Sequence, residues 1–147
     1  MKIYYLNGPR LLRALLAGSE WVILQADYLN KVNGFSVADN DTGTNMALTL
    51  KSIHTALVNS EAGSIEDVSR TVADSALMGA QGNSGVILDQ FFYGFSENLT
   101  GKIKIDIKTF SSAINNALDI ASNAIADPVE GTILTVMNAW ARAVETA

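Results

Sequence analysis

Apolar residues recur at three- and four-residue intervals along almost the whole chain, the spacing that places them on one face of an α-helix, and strand-like alternation is scarce. The pattern predicts a first helix over 9–31, with Leu12, Leu15, Leu16, Val22, Ile23 and Ala26 on one face. Pro9 suits its first turn, where a missing N–H is no loss. A second helix begins near Thr44 and carries Met46, Leu50, Ile53 and Leu57. Ser64-Ile65-Glu66-Asp67 reads as a helix start, with Ser64 the N-cap and acids in the first turn. This third helix holds Val68, Val72, Ala76 and Leu77, and the glycines of 79–85 interrupt it. Ile87, Phe91 and Phe95 define a fourth helix, followed by a polar connection over 98–104. Asp106 opens a fifth, with Phe110, Ile114, Ala117, Leu118 and Ala121. Asp127-Pro128 breaks it, and 131–146 supplies a sixth. Trp21, Trp140, Phe91, Phe92 and Phe95 fall inside these helices and are read as core.

Helices joined by short links form an all-α, antiparallel, up-and-down bundle, here one domain over residues 1–147. In that topology the second, fourth and sixth helices begin at the same end. Their starts carry the least ordinary sequence in the chain: Asp39-Asn40-Asp41-Thr42-Gly43-Thr44-Asn45, Gly82-Asn83-Ser84-Gly85 and Glu130-Gly131-Thr132.

Composition narrows what this end can do. A content of 48% hydrophobic and 17% charged residues is that of an ordinary globular domain. The net charge of -5, with ten scattered Lys and Arg, argues against a nucleic-acid surface. The absence of cysteine removes disulfides, thiolate nucleophiles and cysteine metal sites, and fits a cytoplasmic protein. Neither a signal-peptide core nor an apolar run long enough to span a bilayer is present. His54, the only histidine, has no acidic partner at helical spacing and reads as a surface or boundary residue. An EF-hand counted from Asp39 fails at its fifth and twelfth positions, Gly43 and Leu50, and no Lys follows the later glycines as a P-loop requires.

What remains is a metal-phosphate site. Helix N-termini offer unpaired N–H groups and the positive end of the dipole, so they suit anions, and glycine lets backbone approach a ligand. Gly43, Gly82, Gly85 and Gly131 are such places, and Thr44, Ser84 and Thr132 add hydroxyls. Asp39 and Asp41 would repel phosphate unless a hard divalent cation stood between them, and Mg2+ takes carboxylate on one side and phosphate on the other. Asn33 and Asn45 would complete the coordination or hold the loop. Each loop alone could be plain capping or turn chemistry. Their gathering at one predicted end favours a site.

Four segments carry a resemblance: 29–33, 39–46, 79–88 and 128–136. Across them the chain resembles the DhaL-like domain, shared by the L subunit of bacterial dihydroxyacetone kinase and the N-terminal domain of fatty acid kinase, with the fatty acid kinase branch the nearer. The resemblance implies an antiparallel barrel of eight helices, about six of them present here, that binds ATP at one end with two Mg2+ ions. It makes Asp39 and Asp41 metal ligands, with Asn33 near the position of a further one. Thr44 and Asn45 would lie by the phosphates, Gly82, Asn83 and Ser84 would contact phosphate or nucleotide, and Gly131 and Thr132 would line the same site. The implied reaction is γ-phosphoryl transfer to an acceptor held by a partner: a fatty acid carboxylate on a DegV-like protein, or, in the alternative, a dihydroxyacetone-type substrate. A nucleotide-binding or regulatory module without turnover is the competing non-enzymatic reading, and a purely structural bundle is a third.

The departures are specific. Asn40 stands where the family has glycine between the aspartates, Ser36 and Ala38 replace prolines, and Gln81 replaces arginine. The sequence ends in mid-helix without a capping glycine. That leaves the expected barrel two helices short, and an open barrel exposes apolar faces, so self-association is expected.

Overall fold

Three helix starts are fixed by side chains that the local sequence supplies. The computed structural model of the protein describes residues 4–32, 40–126 and 130–146. Asn7 accepts a hydrogen bond from the Arg10 N–H and opens α1 (Gly8–Leu24), with Pro9 in the first turn as predicted. Ser64 opens α4 (Ile65–Gly79) through a capping box: its hydroxyl accepts from the Asp67 N–H, and the Asp67 carboxylate accepts from the Ser64 N–H at 2.8 Å. Asp106 opens α6 (Ile107–Asn123) by accepting from the Thr109 N–H at 2.8 Å. These bonds also hold both carboxyls below their ordinary range, Asp67 chiefly through the Ser64 hydroxyl and Asp106 chiefly through the Thr109 N–H.

The remaining elements are α2 (Ala26–Val32), α3 (Thr42–Val58), α5 (Gly82–Glu97), α7 (Ile133–Glu145) and a two-stranded antiparallel pair, β1 (Leu6–Asn7) with β2 (Lys104–Ile105). The architecture is all-α, as predicted. β2 lies at the end of what the sequence suggested was a plain polar connection, and the strand pair ties the start of α1 to the start of α6. The start of α4 joins them, because Gly8 rests against the carbonyls of Gly63 and Ser64. So α1, α4 and α6 all begin at one end.

α3 is the central element and packs on α1, α2, α4 and α5. It buries Leu50, Ile53 and Leu57, which meet Val68, Val72 and Ala76 of α4 in a single core with Ile87, Phe91, Phe95, Ile114, Ala117 and Leu118. α6 packs along α5, and α7 packs chiefly on α6. Four rings knit that side together: Phe95 meets Phe110 edge-on at 5.9 Å, and Trp140 meets Phe91 at 6.3 Å and Phe110 at 6.2 Å.

Two sequence expectations need correction. The predicted 9–31 helix is two helices, broken at Gln25, whose N–H still bonds back to Trp21 and Val22 while its own backbone leaves helical geometry. The break turns α2 so that Gly43 can sit against the Ala26 carbonyl. Trp21 and Leu77 are not core; they are 65% and 66% exposed, on the faces of their helices turned away from it, since Val22 and Ile23 beyond Trp21 still pack on the core and Ala76 beside Leu77 is fully buried. Trp140, though 43% exposed, keeps its ring in the aromatic cluster. His54 is half-buried, as expected of a boundary residue.

Two outcomes follow from this packing. A Cβ on Gly94 would lie 2.8 Å from the Ile120 Cδ1 and 2.9 Å from the Ala117 Cα. Gly94→Ala should therefore destabilise the fold by about 1–3 kcal/mol in urea unfolding. The depressed Asp67 and Asp106 carboxyls stabilise the fold fully above their unfolded pKa. That stability is lost as pH falls through their lower folded values. Asp67→Asn should lower the melting temperature at neutral pH, and the gap to wild type should close in acid.

Candidate metal-phosphate site

The helix starts at the other end are built differently. The side chains of Asp41, Gln81 and Thr132 stand at the N-cap positions of α3, α5 and α7, and none caps its helix. No acid lies in the first turn of any of the three. Their common level follows from contacts. The Asn45 side chain, at the start of α3, touches Gly82 at the start of α5, and one turn further on Thr49 faces Gly85. The ring of Phe91, nine residues into α5 from Gly82, meets that of Trp140, seven residues into α7 from Ile133. Val144 and Glu145 at the end of α7 lie beside Ile107 and Lys108 at the start of α6, so α7 runs against α6 and starts at this end. The starts of α3 and α5 thus touch, and α7 starts at the same end.

Thr49 joins α3 to α5. Fully buried, its hydroxyl donates to the Asn45 carbonyl at 2.9 Å and accepts from the Gln81 N–H at 3.3 Å. A Cβ on Gly85 would fall 2.6 Å from the same oxygen, so only glycine lets the helices come this close. Gly82 has φ +58 and would press any Cβ into the Asn45 amide. With the Gln81 N–H taken by Thr49 and the Gly85 N–H by the Gln81 carbonyl, the N–H groups of Gly82, Asn83 and Ser84 are left over among the described residues. Gly82 and Asn83 are exposed and Ser84 is half-buried, so solvent and ligands can reach them.

At the start of α3, Asn40 has φ 51. It fills the glycine position of the family with the side chain that best tolerates this geometry. The Asp41 carbonyl accepts from the Asn45 N–H at 2.8 Å, while its carboxylate makes no bond to the helix. A half-buried carboxylate not spent on capping, beside a helix start, fits a divalent cation that also touches an anion. Asp39 and Asn33, the other two expected ligands, lie outside the described residues, and among the described residues no cluster of three metal-ligating side chains occurs.

Thr44 is tied to α2. Its N–H donates to the Asn30 Oδ1 at 3.1 Å, and its hydroxyl oxygen accepts from the Asn30 Nδ2 at 2.9 Å. In the third loop Gly131 has φ +84; its N–H donates to the Thr135 hydroxyl, which in turn donates to the Glu130 carboxylate at 2.9 Å. Gly131 and Thr132 thus reach this end by the direction of α7, with the bonds of Gly131 closed within its own loop. Sequence reasoning did not single out Asn30, Thr49 or Thr135. Asn30 stood inside a matching segment, but its partner is fourteen residues away. Thr49 gave no signal beyond being a polar residue on an apolar face.

Replacing Thr49 with valine keeps the shape and removes the hydroxyl, leaving the Gln81 N–H without a partner. The expected loss is about 1–3 kcal/mol in unfolding free energy, with faster hydrogen exchange at the Gln81 amide. Unchanged exchange there would show that the bond does not hold the two helix starts.

The sequence model of the family described as the DAK2 domain matches residues 36–147. Among curated proteins, the chain is 38% identical over 138 residues to an uncharacterized protein of Staphylococcus epidermidis, covering 94% of this chain and 25% of that protein. It is 40% identical over 136 residues to the protein YloV of Bacillus subtilis, covering 92% and 25% respectively. An uncharacterized protein of Staphylococcus saprophyticus is 40% identical over 131 residues, with 89% of this chain and 24% of that protein covered. The chain therefore spans about a quarter of the length of the curated relatives it matches.

Proposed function

The chain belongs to the DAK2 domain (DhaL-like) family, and on that premise we propose that its uncapped end binds Mg-ATP for transfer of the γ-phosphoryl group to an acceptor held by a partner protein. The observation that carries this reading is the contrast between the two ends. Side chains cap α1, α4 and α6, whereas α3, α5 and α7 present starts without a capping side chain at a common level. Free helix-start N–H groups beside an uncommitted carboxylate suit a phosphate with its counter-cation. No lysine or arginine occurs in any of the three loops, so within them backbone dipoles and metal would meet the phosphate charge.

In this reading Asp41, with Asp39 and Asn33, holds magnesium, which neutralises charge on the phosphates. The N–H groups of Thr42 and Gly43, and those of Gly82, Asn83 and Ser84, receive phosphate oxygens. Asn45 braces the two loops, and Gly131 and Thr132 close the third side. The acceptor we favour is the carboxylate of a fatty acid on a DegV-like protein, met in the cytoplasm where ATP is supplied. A carboxylate oxygen attacks the γ-phosphorus, the bond to the β-phosphate oxygen breaks, ADP leaves and an acyl phosphate forms. No proton moves in that step, so the site needs no general base. Catalysis rests on positioning and charge neutralisation. Because the chain spans a quarter of its relatives, turnover belongs to the test with a partner supplied and nucleotide binding to the test of the chain itself.

Calorimetric titration with a non-hydrolysable ATP analogue, with and without Mg2+, should show magnesium-dependent binding. Asp41→Ala should weaken it at least about tenfold, the scale of one contact to a charged group. A chain that melts cooperatively yet binds no nucleotide would sink the proposal.

A further inference from the structure

The bond pattern at Thr44 fixes more than the position of a loop. The Thr44 N–H can only donate, so the Asn30 atom facing it, at 3.1 Å, must be the amide oxygen. That settles the orientation of the whole amide, and its nitrogen therefore faces the Thr44 hydroxyl oxygen at 2.9 Å as a donor. With an N–H pointed at it, the hydroxyl cannot turn its own proton toward Asn30. The proton has to point elsewhere.

Three other helical threonines use that proton on their own helix: Thr49 donates to the Asn45 carbonyl, Thr55 to Lys51 and Thr71 to Asp67, each four residues back. Thr44 does not; its position four residues back is Asn40, outside α3 and at φ 51. The side chain is exposed, on the first turn of an uncapped helix, three residues from Asp41.

We infer that Asn30 is a positioning residue: by donating to the Thr44 oxygen it commits the Thr44 hydroxyl as a hydrogen-bond donor to a phosphate oxygen in front of α3. The inference rests on the Mg-ATP reading above and adds to it the residue that fixes the polarity of the Thr44 hydroxyl. Asn30 also takes up the Thr44 N–H, which leaves the N–H groups of Thr42 and Gly43 for the anion. Asn30 itself touches no phosphate; its effect passes through Thr44.

An aspartate at this position would still accept from the Thr44 N–H, but its second oxygen would draw the Thr44 proton inward and turn the donor away. The test is a double-mutant cycle of Asn30→Asp and Thr44→Val, read as affinity for the Mg complex of a non-hydrolysable ATP analogue, with thermal melts to establish folding. Thr44→Val should lose about tenfold, the size of one hydrogen bond to a charged group. Asn30→Asp should lose at least as much with Thr44 present. In the Thr44→Val background it should lose only the smaller part due to its added charge, which shrinks at high salt. Thr44→Ser, which keeps a hydroxyl, should restore the full effect of Asn30→Asp. Asn30→Ala brings no charge and serves should the aspartate variant not fold; it should weaken binding with the hydroxyl present and not without it. An Asn30 effect of equal size with and without the Thr44 hydroxyl would overturn the inference, while wild-type binding left the Mg-ATP reading standing. A folded wild type that binds no nucleotide would overturn both.

Discussion

The close parallel approach of α3 and α5 is the contact on which the rest of the arrangement depends. It needs a residue without a side chain at Gly85, because the Thr49 hydroxyl occupies the space a Cβ would take. It needs the same at Gly82, where the Asn45 amide lies. The approach is held by one buried hydroxyl that serves as donor to α3 and acceptor for the α4–α5 turn. Two helix starts are thereby fixed at one level with their N–H groups facing the same region. α4 runs back between them, with Gly79 against Ser52, and supplies much of the core that keeps them parallel.

Much of the fold was legible because its signals are local. Ser64 with Asp67, and Asp106 with Thr109, are three residues apart and announce helix starts without reference to the rest of the chain. The glycines of 79–85 announce a break for the same reason, and the faces of α3 and α6 follow from spacing alone. The break at Gln25 carried no such mark, since neither glycine nor proline stands there; it goes with the packing of Gly43 on Ala26, a contact between residues remote in sequence. Trp21 misled because an aromatic inside a helix was read as core, whereas Val22 and Ile23 beside it take the packing and Trp21 faces outward.

The candidate site was legible as a gathering of loops and opaque as a set of bonds. Helix direction alone brought Thr44, Asn45, Gly82, Asn83, Ser84, Gly131 and Thr132 to one end. What holds the first two loops comes from pairs remote in sequence: Asn30 with Thr44 across fourteen residues, and Thr49 with Gln81 across thirty-two. No periodicity encodes such a pair. Asp39 and Asn33 lie outside the described residues, so of the expected metal ligands only Asp41 has a described setting, a carboxylate at a helix start that leaves the helix uncapped.

The difference between the two ends also has a bearing on how the domain survives. An absent N-cap bond forgoes roughly 1 kcal/mol at each helix, and here three such omissions fall on one side of the molecule. That side is where local opening should begin, as it does wherever backbone groups lack fixed partners. Any anion that settles there supplies the missing partners and closes the opening, and the gain grows with the logarithm of its concentration. Under the Mg-ATP reading, resistance to proteases would then vary with the supply of nucleotide, and an empty domain would be cleared sooner than a loaded one.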